Sequence, residues 1–193
     1  MPKMSSEARP RARLRRLRLH GPTMGTRWSV RCDAKEHVDA DALQRALAAA
    51  VAQVDMQMSP WKPASDLNRL NAAAPDQWVA LPAETMHVLE RALQVCRDSG
   101  GAFDPAVGAL VDAWGFGAAR DAPDAAAVRA AAQAGHRPAH QALALDPAAG
   151  RACKGAPLQL DLCGIAKGYA VDRMAEVLQR QGVVHALVAL DGQ

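Results

Sequence analysis

The segment from Asp161 to Asp172, D-L-C-G-I-A-K-G-Y-A-V-D, is where residue types and spacing come closest to chemistry. An apolar run ends in Asp161, Gly164 permits a turn, and a helix-forming stretch then carries Lys167 and Gly168. A helix start presents unpaired N–H groups and a partial positive charge. A lysine in the first turn adds a full charge, so the pattern suits an anionic, phosphate-bearing ligand. An acid at the end of the preceding strand can accept from a ribose, a ring N–H or water, or approach a metal. The segment is not a P-loop, because G-x-x-x-x-G-K-[ST] is absent, and it is not the dinucleotide pattern G-x-G-x-x-G. On these residues alone, a tight strand–helix turn with a surface lysine stands as the alternative.

Other reactive side chains give weaker patterns. Cys32, Cys96, Cys153 and Cys163 form no C-x-x-C pair and have no zinc-finger spacing to histidine, so four reduced thiols are expected. His136 and His140 are four apart, but Pro138 between them argues against a helical metal pair. Charge is uneven. Residues 1–18 hold Lys3 and six arginines against Glu7, which is +6, whereas the whole 193-residue chain is +3. The remainder is therefore mildly acidic, and residues 1–20 are expected to be a basic, disordered leader. Such a leader can touch nucleic acid or anionic lipid. A solvated leader is the preferred reading, and no nucleic-acid partner is expected. Arginines interrupt Leu14, Leu17 and Leu19, so no signal-peptide apolar region is expected. No run reaches the ~18 apolar residues of a membrane span. A cytoplasmic location follows as the expectation.

Hydrophobic residues at 50% and charged residues at 22% suit a globular chain, and the length suits one domain. Arg27 to Cys32 alternates as a strand. Asp39 or Asp41 can cap a helix to Met58 with a stripe of Leu43, Leu47, Val51, Val54 and Met58. A Pro-flanked loop around Trp61 precedes a short helix over 65–70. Trp78 to Leu81 reads as a short strand, and Pro82 starts a helix through Asp98 that Gly100-Gly101 ends. The apolar, Gly- and Pro-punctuated stretch from Ala102 to Gly117 reads as a packed functional loop. An Ala-rich helix from Asp124 to Gly135 follows, then strands at 142–146 and 158–162. A helix over 164–181 and a strand over 183–190 complete the chain. Without a strict β-α-β rhythm, the fold class is α+β.

Five ordered segments resemble the FAD:protein FMN transferase (ApbE) family. The first of these is D-L-C-G-I-A-K-G-Y-A-V-D itself. T-M-G-T-R-W-S-V over 23–30 is similar to the family's M-G-T strand, and M-S-P-W-K-P-A-S-D-L-N-R-L-N over 58–71 to its M-S-x-[YW]-x-P-x-S loop. Residues 101–117 match the G-A-F-D-P loop that ends in W-G-F-G, and 186–192 the start of an A-L-V strand. The resemblance covers residues 21–193. It implies an α+β domain with a mixed sheet and flanking helices, incomplete at its C-terminus. It also implies a transferase that moves FMN from FAD onto a threonine of a target protein, with Mg²⁺ as cofactor and AMP as leaving group.

The same resemblance assigns roles. Met24 would lie against the flavin nucleotide and Trp61 would stack on a ring of FAD, although either side chain would also suit a core. Ala102, Phe103 and Asp104 would line the FAD pocket, with Asp104 as a turn cap the alternative. Asp161 would contact FAD, Lys167 would meet its phosphates, and the carbonyl of Gly164 would be one Mg²⁺ ligand. Three positions depart from the pattern: Cys163 and Asp191 replace glycines, and Ala106 replaces a threonine. The family continues beyond this point with an Asp and a Thr that complete the metal site. The first reading is that this chain, or its full-length parent, is that transferase, with the activity of the truncated chain left open; a non-catalytic flavin-binding module is the alternative. A basic-tailed interaction protein is the third reading.

Overall fold

A computed structural model describes residues 13–118, 122–133 and 137–190. The elements run β1 (Leu14–Thr23), β2 (Thr26–Lys35), α1 (Ala40–Met58), α2 (Asp66–Ala72), β3 (Trp78–Ala80) and α3 (Ala83–Asp98). After a 3₁₀ turn at Pro105–Val107 come α4 (Gly108–Ala113), α5 (Ala125–Gln133) and α6 (Ala139–Ala142). The chain ends through β4 (Leu143–Asp146), β5 (Arg151–Lys154), α7 (Cys163–Arg180) and β6 (Ala186–Leu190). The class is α+β, as the sequence indicates. In place of a single mixed sheet, the described residues form two three-stranded antiparallel sheets, ordered β1-β2-β6 and β3-β5-β4.

The main correction concerns the leader. Residues 14–20 are not disordered but form most of β1, paired with β2 from Leu14 opposite Lys35 to Thr23 opposite Thr26. Leu17 and Leu19 point inward and are buried, while Arg16 and Arg18 point outward. Arg16 bonds the Asp33 carboxylate across the pair with both Nε (2.9 Å) and Nη2 (3.1 Å). The period of two was present in the sequence, but arginine density masked it. Charges on such an outer strand also discourage edge-to-edge association. Residues 1–12 lie outside the described residues, as do His136 and Asp191.

A second correction concerns the partner of β4. The expected strand at 158–162 is extended chain outside either sheet, and β5 at 151–154 fills that place after a turn from Asp146 to Gly150. The reason is side-chain competition: Leu160 pairs with the Asn71 amide, and Asp161 N–H donates to Pro105 O at 2.8 Å. The loop expected over 102–117 contains a 3₁₀ turn and α4. Asp104 caps that turn by accepting from Ala106 N, and Pro105 occupies the first turn where a missing N–H costs nothing.

Caps fix the helices that matter to the site. The Asp39 carboxylate accepts from Asp41 N and Ala42 N at the start of α1, and Ser65 Oγ accepts from Asn68 N at the start of α2. Two apolar cores form. One holds the inner face of β1-β2, with Trp28 and Val30, against Leu43, Leu47 and Val51 of α1 and Met174 and Leu178 of α7. Gly21 is required there, since a Cβ would stand 2.8 Å from Trp28 Nε1. The other core gathers Val54 and Met58 of α1, Leu67 and Leu70 of α2, Leu89 of α3 and Ala166 and Ala170 of α7. Helices α1 and α7 therefore run through both cores. Leu47 is fully buried between β1-β2 and α7. Leu47→Ala should lower the unfolding free energy by about 2–5 kcal/mol in urea titrations, with an unchanged m-value.

Candidate functional site

Where the two cores meet, the surface dips into a cleft of about 130 Å³. Its lining comes from three distant parts of the chain: Met24 of the β1–β2 turn, Met58 at the end of α1 with Trp61 after it, and Cys163, Ala166 and Lys167 of α7. Asp55 and Ser59 also line it, and Asp55 pairs with Lys62 at 3.1 Å. The walls are mainly apolar side chains, with Lys167 as the lining cation. Ligand pockets commonly span roughly 300–1,000 Å³. The cleft therefore encloses one ring-sized group and leaves the rest of a larger ligand in the open.

Local structure explains each wall. β1 and β2 are joined by two residues, and both take positive φ: Met24 at 46° and Gly25 at 72°. Such tight hairpins match the strand twist only with left-handed residues, which Gly accepts and Met resists. Holding Met24 there costs about 1–2 kcal/mol, and the turn aligns its side chain with the cleft. Trp61 follows the C-terminus of α1 in a loop bounded by Pro60 and Pro63, and its side chain is 56% exposed. An exposed indole beside a cleft can offer a flat face to a planar ring. Lys167 lies in the early turns of α7, whose N-terminal N–H groups point out of the same end of the helix.

The remaining candidates cluster beside this cleft without lining it. Asp161 Oδ1 accepts from Cys163 N at 2.6 Å, one residue before the N-cap Leu162, so the carboxylate is tied to the first N–H of α7. Phe103 packs over Gly164, where a Cβ would come 3.1 Å from the ring and no larger residue would fit without movement. Asp104 is buried and its Oδ1 accepts from Ala106 N (2.9 Å) and Ala139 N (3.0 Å). The turn-cap alternative thus describes its observed bonds. Ala102 is exposed, and its N–H donates to Ser99 O. Gly164 sits in the first turn of α7. Cys163 is exposed, and its thiol is pushed up to about 12, first by desolvation in the cleft and then by the neighbouring Asp161 carboxylate. Cys96 Sγ lies 3.3 Å from His140 Nδ1, but that thiol is buried and is also pushed upward by burial. Among the described residues, no three His, Cys, Asp or Glu side chains are arranged to hold a metal, and no helix is long and apolar enough to cross a membrane.

An apolar slot faced by an indole, with a lysine and a helix N-terminus at one end, suits a planar ring carrying an anionic group. The ApbE family model matches residues 24–193, which is most of the chain. The chain belongs to the ApbE family. It is 34% identical over 180 residues to the FAD:protein FMN transferase of Klebsiella pneumoniae strain 342, covering 90% of this chain and 51% of that protein. The FAD:protein FMN transferase of Vibrio cholerae is 32% identical over 177 residues, covering 91% of this chain and 52% of its own. Among solved structures, the apo flavinyl transferase ApbE of Pseudomonas stutzeri superposes with a TM-score of 0.82 at 32% identity. That match covers 93% of this chain and 60% of the other. The chain spans about half the length of the curated relatives it matches.

Within this ApbE-family fold, sequence reasoning identified Met24, Trp61 and Lys167, which the tertiary structure gathers into one cleft. It overlooked Met58 and Asp55 as lining residues, since both lie on α1 and Met58 also belongs to the apolar stripe. Cys163 is the cleft residue most open to direct chemical measurement. The thiolate is the reactive form, so at pH 8 a thiol shifted to about 12 is ionised only to roughly one part in 10⁴. Its higher intrinsic nucleophilicity offsets part of this loss. Alkylation of Cys163 by iodoacetamide at pH 8 should be on the order of 100-fold slower than that of a free cysteine, and should rise steadily toward pH 11. Asp161→Asn should speed it, because the carboxylate is one of the groups raising that thiol. Rapid alkylation at pH 8 in mass-spectrometric time courses would show that the thiol is not so shifted.

Proposed function

We propose that this chain supplies the flavin-binding half of an FAD:protein FMN transferase. The observation that carries the reading is the single cleft shared by Met24, Trp61 and Lys167 at the N-terminus of α7. The activity for which the relatives are named supplies FAD as substrate and a protein as acceptor. Trp61 and Met24 hold the ring in the slot, and Lys167 with the α7 N-terminus meets the phosphates. In the transfer, a threonine Oγ of the target protein attacks the FMN-side phosphorus. The new P–O bond replaces the bond to AMP, the hydroxyl loses its proton, and AMP departs with the bridging oxygen. Charge placed beside the phosphates before reaction is what such a step needs most.

Mg²⁺ is the cation that the family resemblance implies. Gly164, its expected ligand here, contributes one carbonyl at the positive end of a helix. Mg²⁺ demands a near-octahedral oxygen set. The described residues do not fit that requirement, so no step is assigned to the metal.

Titrating the purified chain with FAD, with and without Mg²⁺, should quench flavin fluorescence through Trp61. Lys167→Ala should weaken the binding roughly 10–100-fold, the loss of a charge-assisted bond. AMP release in the presence of a threonine-containing acceptor would place the transfer chemistry in these residues. Binding without AMP release would restrict them to a non-catalytic flavin module. No quenching at any FAD concentration would remove the flavin reading.

A further inference from the structure

Helix α2 is short, and neither of its asparagines lines the cleft, yet Asn68 bonds the loop that carries Trp61 and Asn71 bonds the segment that leads into α7. Asn68 Nδ2 donates to Pro60 O at 2.8 Å and to Lys62 O at 2.9 Å, the carbonyls on either side of Trp61. Both amide protons are therefore committed to the Trp61 loop. One turn later, Asn71 treats Leu160 as a strand partner would. Its Nδ2 donates to Leu160 O at 2.9 Å, and its Oδ1 accepts from Leu160 N at 2.8 Å. Leu160 immediately precedes Asp161, whose carboxylate bonds the first N–H of α7. On the opposite side of this extended chain, Asp161 N donates to Pro105 O and Gly108 N donates to Gln159 O. The segment is thus gripped between α2 and the 105–108 turn.

Helix α2 is itself fixed at its C-terminal end. The Asn71 carbonyl accepts from Lys154 Nζ at 2.6 Å, and that ammonium also reaches Leu158 O at 3.4 Å. Lys154 is only 3% exposed and its contacts are with carbonyl dipoles, which suits a cation at a helix C-terminus. Leu67 and Leu70 are fully buried and Ser65 caps the helix start, so the helix does not depend on the two amides for its existence.

We propose that Asn68 and Asn71 are positioning residues that set the separation of the two cleft walls. Asn68 fixes the wall carrying Trp61, and Asn71 fixes the segment through Leu160 and Asp161 that leads into the α7 wall of Cys163, Ala166 and Lys167. The inference rests on the flavin reading for its ligand measurement, but it also has a ligand-free one. Trp61 emission, isolated as the difference between the chain and its Trp61→Phe variant, reports the position of the first wall through quenching by acrylamide.

Asn68→Asp keeps the shape and removes both donated bonds. It should make Trp61 more accessible to acrylamide and weaken FAD binding roughly 10-fold or more. Asn71→Asp keeps the acceptor and removes the bond to Leu160 O. It should weaken FAD binding similarly while leaving Trp61 accessibility at the wild-type value. This split separates positioning from general loosening, which would move Trp61 in both variants together with the unfolding midpoint. Asn68→Ser keeps one donor and should fall between; it takes the place of Asn68→Asp if that variant does not fold. Wild-type Trp61 accessibility in the Asn68 variants overturns the proposal, and so does an equal change of Trp61 in both positions. If the unaltered chain does not bind FAD, the flavin reading fails, and the Trp61 measurements still decide the positioning role.

Discussion

The packing of α1 against α7 is the constraint on which the rest depends. Each helix contributes to both apolar cores, α1 through Leu43, Leu47 and Val51 in one and Val54 and Met58 in the other. α7 does the same, with Ala166 and Ala170 at its N-terminal end and Met174, Val177 and Leu178 beyond. The alanines let the helix approach the second core closely, and the larger side chains fill the first. The cleft lies at the seam, where Met58 ends α1 and Ala166 begins the buried face of α7. Shifting either helix would therefore move the slot, its indole wall and its lysine together.

Electrostatics and apolar packing meet at that seam. The N-terminus of α7 favours negative charge, and Asp161 just ahead of the N-cap Leu162 bonds the N–H of Cys163, whose thiol is desolvated. A carboxylate at this position satisfies a helix N–H. It also raises the cost of ionising the thiol beside it, which keeps Cys163 neutral. The cleft thus combines an apolar slot, a lysine and a helix dipole within one turn, while the local acid is held by a backbone bond. A comparable economy appears in α2, which is buried by two leucines and uses its polar face to connect both walls.

How far the sequence could be read depended on whether the signal was periodic. The helical stripe of α1 was legible, as were the helices α3 and α7, the cap of α1 at Asp39 or Asp41 and the Gly100-Gly101 stop, because side-chain period and turn chemistry act locally. β1 was hidden since its outward positions are arginines, and charge count outweighed alternation. β5 was hidden because R-A-C-K has little strand character, and Leu158 to Leu162 looked more like a strand than the true partner of β4. The site followed the same rule. Met24, Trp61 and Lys167 were given roles through motif resemblance, whereas Asn68 and Asn71 lie in the same 58–71 segment with no role assigned, because their bonds reach chain segments up to 89 residues away.

The sequence by itself determined the class of fold, the membership in a family and the residue types able to hold a ring and an anion. These depend on local periodicity and on short ordered motifs. Only the tertiary structure decided that three of those residues share a cleft, that Asp104 is engaged as a cap, and that the strands divide into two antiparallel sheets. The reason is physical: contacts between distant segments depend on how buried faces fit and which backbone groups find partners. Neither the helical period nor the strand period encodes that choice.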